Sequence, residues 1–146
     1  MVTLLEVAIG LVTTVLGGLF VNELWNRRKS RLDEQSENED WYAEAVSLCE
    51  HGLQALRGFE NTHNPNYDET RMEMRSTSSQ LSRHAGDSAG MDVDEGVVDA
   101  LREASEACQA LNNAQVYIGN TSEWDEAFEQ AQELLTEARN LAEDHL

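Results

Sequence analysis

The sequence predicts an all-α protein: one N-terminal transmembrane helix followed by an antiparallel bundle of about four helices. Three observations predict it. Residues 2–21 form a mostly apolar run with a single charge, Glu6, long enough to cross a hydrocarbon core of roughly 30 Å. Beyond residue 40, apolar residues recur at steps of three and four, the period of a helix with one buried face. Turn residues separate these periodic segments at short intervals, and no segment alternates with the period of a strand.

The apolar run is expected to stay attached. It lacks a basic start and an Ala-x-Ala-like end, so it does not read as a cleaved signal peptide. The nearby basic residues Arg27, Arg28, Lys29 and Arg31 all follow it. The positive-inside bias then places the N-terminus outside and residues 22–146 in the cytoplasm, with Trp25 at the interface. Within the run, Glu6, Gly10, Thr14 and Gly18 recur every four residues, with Thr13 and Gly17 beside them. Small residues at that spacing let two membrane helices approach and associate, although Gly and Thr are also common in membrane helices that do not. Glu6 lies about a turn from the outer end and can reach the interface. Asn120-Thr121-Ser122 matches a glycosylation acceptor, and a glycan there would reverse this topology. The chain divides into an anchor at 1–22, a basic flank and polar helical linker at 23–40, and an acidic bundle at 41–146.

No Gly or Pro occurs from residue 19 to residue 50, so nothing forces a break between the anchor and the first bundle helix. Tyr42, Val46, Cys49, Leu53 and Leu56 mark that helix. Gly58 and residues 61–66, which include the single Pro, are expected to end it. Met74, Ser78, Leu81 and Ala85 mark a second helix from Asp68 or Thr70 to His84. A third starts near Asp94, with Val97, Leu101, Ala104, Cys108 and Leu111 inside, and runs toward Tyr117. Thr121 or Ser122 caps a fourth, with Ser122 and Asp125 in capping-box positions. Its inner face is Trp124, Phe128, Ala131, Leu135, Ala138 and Ala142. Four helices with short connections suggest the bundle. Many inner positions are Ala, Ser or Cys, so the core is narrow.

The net charge is −18. Residues 32–146 hold six Arg, no Lys and 26 acidic residues, a surface that repels phosphates and argues against nucleic acid as a partner. The chain has one Lys against nine Arg and only two Ile. Acidity of this kind suits a molar-salt cytosol, where a Debye length of roughly 3 Å screens self-repulsion. Disorder is the other reading of high charge, but a disordered chain has no need of helically spaced apolar residues.

Chemistry-bearing residues are sparse. Cys49-Glu50-His51 lacks the fixed close spacing of a zinc site, since helix residues two apart point different ways. Cys49 and Cys108 fall on apolar stripes and read as buried thiols, with a bridge across the core as the alternative. Counted from Asp92, the positions where a calcium loop needs an oxygen ligand and a Gly hold Gly96 and Val97. Asp94 reads better as a helix cap. Trp41, Tyr42 and Trp124 are candidate interface residues or caps on the core. No catalytic, metal or cofactor-binding constellation emerges, so no cofactor and no small-molecule substrate is expected.

From Trp41-Tyr42 through residues 81–85 to Leu111, the pattern resembles small uncharacterised single-pass membrane proteins of halophilic archaea or their viruses. The likeness covers most of the chain in general character and implies no activity. The sequence therefore reads as a membrane-anchored, non-enzymatic interaction or scaffold protein. Its expected partners are the lipid bilayer and a protein partner or second copies of itself. The alternatives are a signal-transduction component and a viral envelope component.

Overall fold

The computed structural model describes residues 18–62, 68–114, 116 and 119–146, and side-chain surroundings at 33–60, 70–114, 116 and 119–146. These residues form four helices: α1 (Gly18–Thr62), α2 (Asp68–Asp87), α3 (Glu95–Asn113) and α4 (Ser122–Glu143). The described residues are all-helical in class, and Asn38–Leu146 is one compact unit.

No helix among the described residues is long and apolar enough to cross a membrane. Most of the expected span, including Glu6, Gly10 and Thr14, lies outside the described residues. Gly18 opens α1. The backbone of Arg27, Arg28, Lys29 and Arg31 falls within α1, and their side chains lie outside the described residues.

Cross-helix contacts define the bundle. Trp41 meets His84, Gly52 meets Thr77 and Gly58 meets Thr70, so α1 and α2 are antiparallel. Arg71 meets Asn112 and Ser78 meets Ser105, so α2 and α3 are antiparallel. Tyr42 meets His145, Gly52 meets Leu135 and Phe59 meets Trp124, which makes α4 antiparallel to α1. α3 packs along α4. The helices thus alternate up and down around a ring, with α1 opposite α3 and α2 opposite α4.

The largest fully buried side chains are Met74, Leu81, Leu101, Leu111, Leu135 and Val97. Around them lie Ala45, Ala55, Ala85, Ala104, Ala131, Ala138 and Ala142, so the core is narrow and its helices close. Gly52 shows how close. A methyl there would stand 3.0 Å from Leu135 Cδ2 and 3.1 Å from Thr77 Cγ2, a crowding that a packed core resists.

Several element ends differ from expectation. Gly58 itself does not stop α1, which ends at Thr62, within the expected segment 61–66. A methyl at Gly58 would sit 2.9 Å from Thr70 Oγ1, so this glycine serves close approach instead of termination. The buried face of α1 is also rotated: Ala45, Gly52 and Ala55 are buried, and Val46 and Leu53 only half-buried. α2 passes through Gly86 to Asp87, and α3 stops at Asn113 instead of reaching Tyr117. Asp94 caps α3 as expected, its Oδ1 accepting from Gly96 N at 2.8 Å. The Ser122–Asp125 capping box does not form. Asn120 Oδ1 accepts from Ser122 N at 3.2 Å, and Thr121 Oγ1 donates to Asp125 Oδ2 at 2.9 Å.

Candidate functional site: the bundle ends and the charged walls

The start of α1 in the bundle meets the end of α2, the cap of α3 and the end of α4. Trp41 Nε1 donates to the His84 carbonyl at 3.1 Å, and His84 Nε2 donates back to the Trp41 carbonyl at 2.8 Å. The two rings stack with centroids 4.8 Å apart. His84 Nδ1 faces Glu44 Oε2 at 3.7 Å. Tyr42 stacks on His145 at 4.3 Å, and its hydroxyl accepts from Asp94 N at 2.7 Å. His145 Nε2 donates to Asp94 Oδ2 at 3.1 Å, which closes a ring of three residues, Asp94 taking part through both its backbone N–H and its carboxyl. The Gly96 N–H, and after it His145, hold the Asp94 carboxyl below its ordinary range. Asn38 adds a bond from its Nδ2 to the Asp92 carbonyl at 3.1 Å.

At the opposite end, rings meet among the described residues. Phe59 meets Trp124 edge-on at 5.6 Å, and Trp124 meets Phe128 at 5.2 Å. Trp124 Nε1 is buried with no hydrogen-bond partner among the described residues. The three aromatic residues singled out in the sequence are therefore not brought together. Trp41 and Tyr42 are buried at one end, and Trp124 is half-buried at the other. Antiparallel packing explains the separation, because α1 begins where α4 ends.

Midway along the bundle, Cys49 and Cys108 are both free and buried. Burial pushes each thiol up to about 12. Such protonated thiols are poor nucleophiles and poor metal ligands. Ser78 and Ser105 clip α2 to α3, each hydroxyl donating to the other's carbonyl at 2.8 and 2.7 Å.

The outer walls are differently charged. A groove of about 690 Å³ between α2 and α3 is lined by Arg75, Arg83, four Ser, two Asn and a Gln, with no acidic residue. Arg71 borders it and donates to the Asn112 carbonyl at 3.1 Å. Arg71, Arg75, Ser79 and Arg83 step by four along this flank of α2. On α4, Asp125, Glu129, Glu133 and Glu137 also step by four, and all four are exposed. Positions four apart form the ridges of a helix surface. Net charge alone hides these rows, because it averages three Arg into a strongly negative total. The signal was present in the spacing of the arginines.

Comparison with protein-family models, with curated proteins and with solved structures finds no match. The functional reading rests on the chain itself.

Proposed function

We propose that this chain is a membrane-anchored, non-enzymatic interaction or scaffold protein. It presents an acidic helical bundle at the cytoplasmic membrane face. The apolar run at residues 2–21 and the basic residues after it support the anchor. The observation that carries the interaction reading is the segregation of charge on the outer walls. Three of the six Arg in residues 32–146 lie on one flank of α2, while the outward face of α4 is acidic. Among the described residues the aromatic side chains at both ends pack against their own chain, while the charged walls are exposed.

The test is co-purification from native membranes in high salt. A defined partner or a homo-oligomer is expected, and a strictly monomeric chain without a partner would sink the reading. A signalling role has one observation in its favour: α1 is a single helix from Gly18 to Thr62. Inserting Gly-Gly near Ser36 would abolish signalling but leave simple anchoring intact.

A further inference from the structure

We propose that the partner is a second copy of this chain, and that the arginine ridge of α2 in one copy docks against the acidic ridge of α4 in the next. This rests on the interaction reading above and names the occupant of its surface.

Four observations converge on it. First, the two ridges match in register. Arg71, Arg75, Ser79 and Arg83 span the same three steps of four as Asp125, Glu129, Glu133 and Glu137. At 1.5 Å per residue, each ridge runs about 18 Å. Second, both ridges are open over most of their length, Arg71 alone being half-buried against the Asn112 carbonyl. Arg75, Arg83 and the four acidic residues are exposed. Neither Arg75 nor Arg83 forms an ion pair among the described residues. Third, the acidic ridge is distinctive. The comparable row on α3 is Glu95, Asp99 and Glu103, where Asp99 lies 3.8 Å from Arg102 of the same helix. Fourth, the ridges cannot satisfy each other within one molecule, because α2 and α4 occupy opposite corners of the bundle.

The fold also sets the geometry of the assembly. α2 and α4 are both antiparallel to α1, so they run in the same direction. Copies held in one membrane share that direction, and neighbouring ridges then meet in parallel. Arg71 faces Asp125, Arg75 faces Glu129, Ser79 faces Glu133, and Arg83 faces Glu137. The small Ser79 lets the helices approach at the centre.

A two-fold pair cannot make both contacts at once, because a partner covers adjacent helices and not opposite corners. The association is therefore head-to-tail and extends beyond a dimer into a ring or a row. Each exposed charge pair is weak. Confinement to one membrane compensates by raising the effective concentration of neighbours. At about 1 M salt the long-range repulsion between acidic copies is screened, while Arg–carboxylate forks in contact keep their hydrogen bonds.

The test uses the full chain in lipid vesicles at about 1 M KCl, with vesicle flotation reporting the anchor separately. One pool carries Ser79→Cys and a second Glu133→Cys, and the two are mixed and oxidised. The native thiols are buried and stay out of the reaction. A disulfide between the pools is expected, in excess of either pool alone. A chain carrying both cysteines is expected to give a ladder beyond the dimer. Arg75→Glu with Arg83→Glu reduces the product by roughly tenfold. Adding Glu129→Arg and Glu137→Arg to the same chain restores it. Product that ignores the charge reversals, a ladder that stops at the dimer, or no product at all overturns ridge pairing. If other cross-links show association in those cases, the interaction reading survives. A chain that fails to float overturns the anchor instead.

Discussion

The two ends of the bundle are both aromatic, and they are held by different physics. The end around Trp41 is tied by directional bonds: a reciprocal pair between Trp41 and His84, and the ring of Tyr42, Asp94 and His145. The end around Trp124 is tied by ring packing with Phe59 and Phe128, and its indole N–H is left without a partner among the described residues. Apolar packing stabilises without specifying a unique alignment. Hydrogen bonds to backbone atoms at the end of α2 and in the segment before α3 fix where α1 sits along its neighbours. The Trp41 end therefore sets the register of α1, while at the Trp124 end the rings contribute buried area and Arg71 bonds α2 to α3.

The comparison breaks most completely if the middle is lost, because then neither end survives. Cys49 and Cys108 are raised from 9.0 to about 12 in the folded chain. A raised value stabilises the folded state fully below the unfolded pKa and is lost as pH rises through the folded one. Stability should therefore fall between about pH 9 and pH 12. Circular dichroism should show unfolding in that window, together with a burst of thiol-reagent labelling. Replacing both cysteines by Ala should remove the labelling and flatten the alkaline limb.

The next largest contrast is between the two tryptophans. Trp41 is 4 % exposed and hydrogen-bonded, so Trp41→Ala should cost about 3–5 kcal/mol. Trp124→Ala should cost less, since Trp124 is half-buried. Denaturant midpoints in high salt measure both, and equal losses would erase the distinction between the ends.

Phe substitutions sharpen it. Trp41→Phe leaves the His84 carbonyl without its donor and should cost about 1–3 kcal/mol. Trp124→Phe removes a donor that has no partner among the described residues, and should fall within about 0.5 kcal/mol of the parent.

The smallest effect is expected at acid pH. The Asp94 carboxyl is lowered from 3.8 by the Gly96 N–H and His145. A lowered value gives stability that is present above the unfolded pKa and lost as pH falls through the folded one. A modest loss is expected below about pH 3.8, and Asp94→Asn should abolish that part of the acid limb. Because Asp94 is exposed, the thermal midpoint should shift less than for either tryptophan truncation.

Much of the fold is legible in apolar spacing. Met74, Leu81, Val97, Leu101, Leu111 and Leu135 read as inner positions from their period alone, and all are fully buried. The ends of helices are less legible. Gly58 reads as a breaker, yet it lies inside α1 because Thr70 needs the space. No local pattern reports a neighbour on another helix. The same limit applies to the walls. The spacing of Arg71, Arg75 and Arg83 is written in the sequence, but whether they face solvent or the core depends on which flank of α2 the other helices cover.

By itself, the sequence determined the helical class, the inner face of α2, α3 and α4, and the cap at Asp94. These follow from local periodicity and from bonds between residues a few positions apart. Tertiary structure alone decided that Trp41 and Trp124 close opposite ends, that His84 and His145 bind to the start of the bundle, and that α2 and α4 stand at opposite corners. Those facts come from the alternating up-and-down packing, which joins residues 43 and 52 positions apart in the chain. Separation along the sequence adds only a slowly growing closure entropy and no attraction. Only the closure of the bundle brings such residues within bonding range.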